Sequence, residues 1–226
     1  MNWLAVGAMA EGAAEEAKSS WLEMAVSKFT ETPLEAWITF AAIAVLGVVL
    51  LVIARSRKKW STQALAFGAL SIALSFVLSC IRLFRMPNGG SVTPASMLPL
   101  MLFAAAYGVG PGFLAGLVYG VLQALKGGIA FLGLGQFLLD YLLAFTVLGL
   151  AGFAKKLPEK WGLYLAIIVA ALARVLCHTL AGVLFWETAP WASFVYNITY
   201  LGPDTLICIV LAFVIAKPVL RIMKQQ

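Results

Sequence analysis

Apolar and polar positions are not interleaved along this chain; they come in blocks. After a mixed stretch over residues 1–35, seven apolar runs follow, at about 36–54, 62–84, 95–107, 111–126, 135–153, 161–186 and 193–216. The breaks between them are short and are either charged, such as RSRKK (55–59) and KKLPEK (155–160), or rich in turn residues, such as MPNGGSVTPAS. A hydrocarbon slab needs roughly 20 apolar residues per helical span. The pattern therefore predicts an all-α membrane protein. Residues 36–54, AWITFAAIAVLGVVLLVIA, form a first span without charge.

Composition agrees. The chain is 62% hydrophobic and 12% charged, with a mean hydropathy of +0.96. Soluble domains run near 45–50% apolar and about 25% charged. The net charge of +6 in a soluble protein would raise nucleic acid as a partner. Here the cations cluster in short loops, which reads as membrane topology and excludes nucleic acid. With RSRKK inside, KKLPEK and the cluster Lys217, Arg221 and Lys224 also fall inside, and the N-terminus falls outside, along with MPNGGS, KGG and WETAPW. This predicts a multi-pass protein of the plasma membrane. Arg82, Arg85 and Lys126 lie near the outer face, against the general sorting. The N-terminal segment has no basic stretch ahead of a short apolar core, so a cleaved signal peptide is not expected. Its WLEMAVSKF stretch suits a short interfacial helix. Cys80, Cys177 and Cys208 have no metal-ligand spacing and read as buried thiols.

Two runs carry small residues at four-residue spacing: Ala69 and Ala73, and Gly112, Gly116 and Gly120. Such stripes let helices approach closely. The glycines read as packing inside the bundle.

Ionisable groups at membrane depth cost about 2.5–3.5 kcal/mol each and need a reason. Here they are Asp140, Arg174, His178, Glu187 and Asp204. Asp140 needs a cation, either Arg174 in an internal pair or a cationic ligand. Arg174 shares a helix face with His178 and reads as structural. The segment HTLAGVLFW aligns His178, Gly182 and Trp186 on one face, an imidazole and an indole with a gap between them. That combination suits a flat slot for a heteroaromatic ring. In SFVYNITYLGPD, Tyr196 and Tyr200 supply phenols, and Asn197 supplies a donor and acceptor pair matched to an aminopyrimidine edge. Apolar walls with few convergent polar groups are the expected form of a small-molecule pocket.

No Walker A sequence, HExxH, CxxC or nucleophile elbow occurs. Neither an acidic ring for a channel nor a relay for a proton pump is evident. The pattern predicts a binder without its own motor, and not an enzyme.

RLFRMPNGGSVTPASMLPL, GQFLLDYLLAF, HTLAGVLFW and YNITY, in this order, resemble the thiamine-specific substrate-binding subunits (S-components) of energy-coupling factor transporters, the YuaJ family. The resemblance covers about residues 62–217. It implies a six-helix transmembrane core over 61–226, with residues 36–60 adding one N-terminal helix and a basic cytoplasmic loop. It also implies capture of thiamine outside the cell, and uptake driven by a membrane coupling protein and two cytosolic ATPases. ATP is then used by the partners, and this chain holds no cofactor and no metal. In the resemblance Asp140 matches the carboxylate facing the thiazolium, where the family pattern carries the longer glutamate. Tyr141 matches an adjacent aromatic, His178, Gly182 and Trp186 a pyrimidine-contacting line, and Asn197 an amide. Ala69 and Ala73 match the surface that docks the coupling protein. A family tyrosine falls near Ala192, with Trp191 or Tyr196 as substitutes, and a loop tryptophan falls near Gly90. Thiamine pairs a permanent positive charge with a flat ring, which suits a buried carboxylate and aromatic faces. Another flat vitamin, or the hydroxymethylpyrimidine precursor, is the alternative ligand.

Overall fold

The computed structural model describes residues 34–55, 61–87, 89–126, 133–158 and 160–224. The WLEMAVSKF segment, KGG beyond Lys126 and RSRKK beyond Arg55 lie outside the described residues. The chain divides into two units, Met1–Ile38 and Thr39–Gln226, and the packing and the site described below lie in the second.

The architecture is all-α, with one two-residue hairpin. The helices are α1 (Leu34–Arg55), α2 (Thr62–Cys80), α3 (Leu98–Tyr107), α4 (Val109–Lys126), α5 (Leu134–Lys156), α6 (Gly162–Phe185) and α7 (Pro190–Lys224). Five described helices, α2 and α4 to α7, are long and apolar enough to cross a membrane. The hairpin pairs β1 (Phe84–Arg85) with β2 (Ser91–Val92), antiparallel.

Three expected spans are corrected. The run at 62–84 stops being helical at Cys80, and Arg82 and Arg85 belong to the hairpin segment. The run at 95–107 is only a ten-residue helix. That is about 15 Å, half the hydrocarbon thickness. It is a core helix: Leu98 and Leu100 to Ala106 are all buried. At Gly108 the chain takes a φ of 107°, which only glycine adopts without strain, and turns directly into α4. The last run is much longer than 193–216. Helix α7 covers 35 residues, about 52 Å, and passes through Pro203 and Pro218. Lys217, Arg221 and Lys224 therefore stand on a helix. Glu187 lies in the turn after α6 with a φ of 51°, exposed and outside the membrane-crossing helices.

Backbone contact between α4 and α5 places the site. A Cβ on Gly120 would stand 2.7 Å from the Tyr141 carbonyl, and one on Gly112 2.9 Å from Gly149 Cα. Gly116 meets the Phe145 carbonyl more closely still. The glycine stripe is internal packing, as expected. Helix α5 is irregular where it is gripped: it widens to π geometry over Leu138–Leu143 and tightens to 3-10 over Val147–Lys156. Widened turns of this kind are frequent at functional sites, and this one contains Asp140 and Tyr141.

Helix α2 buries its small face, Ala64, Gly68, Ser71, Ser75 and Ser79. Ala69 and Ala73 point the other way and are exposed. The alanine stripe therefore takes no part in the packing of this chain.

Candidate functional site

A cavity of about 660 Å³ opens between the hairpin segment and helices α2, α4, α5, α6 and α7. Its size falls within the roughly 300–1,000 Å³ of small-molecule sites. All eight residues expected to contact a ligand line it: Asp140, Tyr141, His178, Gly182, Trp186, Tyr196, Asn197 and Tyr200.

At its centre is a four-member polar chain. Arg174 Nε donates to His178 Nε2 at 3.3 Å. With Nε2 accepting, the imidazole carries its proton on Nδ1. Nδ1 donates to Asp140 Oδ1 at 2.9 Å. Gln136 Nε2 donates to the other carboxylate oxygen, Oδ2, at 2.9 Å. The expected direct pair between Arg174 and Asp140 is not formed. The neutral imidazole stands between the two charges, because Arg174 and His178 are stacked one turn apart on α6. The guanidinium instead lies 4.3 Å from the centre of the Phe145 ring, a favourable cation–π distance.

The aromatic wall is built around His178. Its ring meets Phe145 edge-on, with centroids 6.5 Å apart, and lies 6.5 Å from Tyr200. Tyr196 packs on Tyr200 at 5.7 Å. Trp186 stands at the rim, half exposed.

Two residues have local partners that the sequence did not reveal. Asn197 donates to the Ser193 carbonyl at 2.9 Å and accepts from the Tyr200 hydroxyl at 2.9 Å. Its amide is held in position before any ligand arrives. The space beside Gly182 is taken by Ser193, which a Cβ there would strike. Ser193 Oγ donates to the Thr179 carbonyl at 3.0 Å. The glycine thus serves the close approach of α6 and α7.

The hairpin roofs the cavity. Gly90 N–H donates to the Tyr196 hydroxyl at 3.1 Å, and a Cβ on Gly90 would come within 2.8 Å of the Tyr200 ring. Close contact with two tyrosines takes the place of a bulky loop side chain at Gly90. Below the hairpin, Thr93 donates its hydroxyl to Asp204 Oδ1 at 2.8 Å and its N–H at 3.3 Å. Asp204 thereby ties the segment after β2 to α7.

A second wall was missed. Tyr119, Gln123 and Lys126 lie on one face of α4 at four- and three-residue spacing. They meet Ser75 and Ser79 of α2: Tyr119 donates to the Ser75 carbonyl at 3.2 Å, and Gln123 donates to Ser79 Oγ at 2.8 Å. The signal was a polar line on one face of a glycine-rich span.

Comparison with known proteins now gives this geometry a family. The profile described as thiamine transporter protein (Thia_YuaJ) matches residues 65–224. The chain belongs to this family. It is 30% identical over 159 residues to the thiamine transporter ThiT of Bacillus subtilis, covering 62% of this chain and 82% of that protein. The thiamine transporter ThiT of Lacticaseibacillus paracasei is 29% identical over 146 residues, covering 57% and 73%. Among solved structures, ThiT from Listeria monocytogenes matches with a TM-score of 0.55 and 26% identity, over 70% of this chain and 93% of that one. The relatives are transporters, not enzymes. Together with the apolar helices, the family makes this chain a multi-pass membrane protein and a transporter S-component.

Proposed function

We propose that this chain captures thiamine outside the cell, as the substrate-binding subunit of an ATP-driven energy-coupling factor transporter. The observation that carries the reading is Asp140, a carboxylate held between His178 and Gln136 inside an aromatic cavity. A buried cation requires a paired charge, and a flat ring requires aromatic faces. Asp140 pairs with the thiazolium, and His178, Tyr200 and Trp186 face the rings. Tyr141, Tyr196 and Asn197 complete the contact surface, and Gly182 lets α6 and α7 close together at the cavity wall. The hairpin end of the bundle is extracellular, the N-terminus is outside and the C-terminus inside, in keeping with the loop cations.

Ala69 and Ala73 form the docking face for the membrane coupling protein, which links this chain to two cytosolic ATPases. Their exposure supports this assignment. ATP is used by those partners.

The test is titration of the purified full chain with thiamine, followed by tryptophan fluorescence, with mass spectrometry of the ligand that copurifies. Saturable quenching by thiamine is expected. Absence of binding, or a copurifying ligand without a cationic ring, would refute the reading.

A further inference from the structure

Asp204 is the second carboxylate lining the cavity, and it is buried where Asp140 keeps some exposure. Both donors of Thr93 go to its Oδ1. Two neutral donors on one oxygen do not balance a buried negative charge, which requires a cation. Arg174 is the buried cation of the same cavity. The other cations of the lining are Arg82 and Arg85, exposed in the hairpin segment, and Lys126, bonded to the end of α2 through Ser79.

The register of α6 against α7 places Arg174 and Asp204 opposite each other. Near the turn between the helices, Ser193 donates to the Thr179 carbonyl and fills the space at Gly182. Further from the turn, His178 lies 6.5 Å from Tyr200. The next turn of each helix brings Arg174, four residues before His178, and Asp204, four residues after Tyr200. The two charges act on each other across this space. They do so without contact, since among the described residues the one direct ion pair is His178 with Asp140. Buried charges interact beyond contact distance because salt and water screen them poorly. Arg174 reaches Asp140 only through the neutral ring of His178.

We propose that Asp204 is the counter-charge of Arg174, and that this balance leaves the charge of Asp140 to the cationic ligand. Two carboxylates against one guanidinium leave a single negative charge in the buried part of the cavity. That is the complement of a singly charged thiazolium. Without Asp204, the guanidinium has only Asp140 as a buried counter-charge and competes with the ligand for it. Asp204 acts through Arg174 and is a positioning residue. The second half of the proposal rests on the thiamine reading above, and the pairing itself does not.

Two substitutions remove the charges and keep the hydrogen bonds. Asp204→Asn retains an Oδ1 that accepts from Thr93. Arg174→Gln carries an N–H at the position of Nε, within reach of His178. The full chain, both single variants and the double variant are purified in detergent. Each is titrated with thiamine and with hydroxymethylpyrimidine, which has no thiazolium. Asp204→Asn is expected to weaken thiamine binding about tenfold while Arg174 is present, and by less than about threefold in the Arg174→Gln background. The neutral pyrimidine is expected to bind all of them within about threefold of the wild-type chain. A damaged tie to Thr93 would instead distort the cavity and weaken both ligands, whatever stands at position 174.

An equal loss of thiamine affinity in both backgrounds overturns the proposal, as does no loss in either, or a parallel loss of both ligands. If Asp204→Asn binds neither ligand, the second substitution decides. Binding restored by Arg174→Gln supports the pairing, and binding not restored overturns it. If the wild-type chain binds no thiamine, the proposed function falls and takes the second half of this proposal with it. The pairing is then read from thermal midpoints, where Arg174→Gln is expected to recover part of what Asp204→Asn loses. Losses that simply add refute the pairing.

Discussion

Replacing Asp140 with asparagine removes one charge and adds no volume. The two groups that hold Asp140 both donate: Gln136 Nε2 at 2.9 Å and His178 Nδ1 at 2.9 Å. An asparagine can accept from one of them but presents N–H groups to the other. The fold can absorb this. Gln136 Oε1 has no hydrogen-bond partner, so turning that amide over offers an acceptor to the new N–H. What is lost is the charge. Removing one partner of a buried ion pair costs roughly 3–5 kcal/mol. Asp140 retains 16% side-chain exposure, which places the expected loss near the lower end, about 3 kcal/mol. That is a drop of roughly 150-fold in thiamine affinity. Tryptophan fluorescence titration reads it directly. The control ligand is hydroxymethylpyrimidine, which lacks the thiazolium and is expected to bind the variant within about threefold of the wild-type chain. If thiamine affinity falls by less than threefold, or both ligands weaken together, then Asp140 does not pair with the thiazolium.

Ala69→Trp is expected to abolish thiamine uptake in cells while leaving detergent binding intact; retained uptake would remove Ala69 from the docking face. Gly116→Val puts a branched side chain against the Phe145 carbonyl and is expected to lower stability by about 1–3 kcal/mol or more, read as a reduced thermal midpoint. An unchanged midpoint would mean that α4 and α5 are not held at backbone contact. Tyr196→Phe removes the acceptor for the Gly90 N–H and is expected to speed thiamine release several-fold in stopped-flow fluorescence, with little change in thermal midpoint. Unaltered release would show that the hairpin does not hold the ligand in.

The residues of the site were legible before their arrangement was. An Asp in GQFLLDYLLAF and a His in HTLAGVLFW stand out because charge and imidazole are costly in lipid, so their presence demands a partner. Periodicity put His178, Gly182 and Trp186 on one face, since a helix repeats on its own axis whatever surrounds it. Neither rule says which helix lies opposite. Arg174 was the natural partner for Asp140 on charge alone, yet His178 takes that place, and only the packing of α5 against α6 decides it. Tyr119, Gln123 and Ser79 carried no reading in the sequence; they form a polar wall with Lys126 only once α2 and α4 are brought together.

The sequence by itself determined the class of solvent, the membrane-crossing runs, the small-residue stripes and the chemistry available for a cationic, flat ligand. These follow from composition and from local spacing, which need no neighbours. Only the tertiary structure decided that the glycine stripe faces inward and the alanine stripe outward, since both have the same four-residue spacing. It also decided that the run at 95–107 is a buried half-length helix, because apolar residues look alike whether they meet lipid or protein. The widened turn at Leu138–Leu143 belongs to the same class. Each depends on contacts between residues far apart in the chain, and those contacts exist only once the helices are packed.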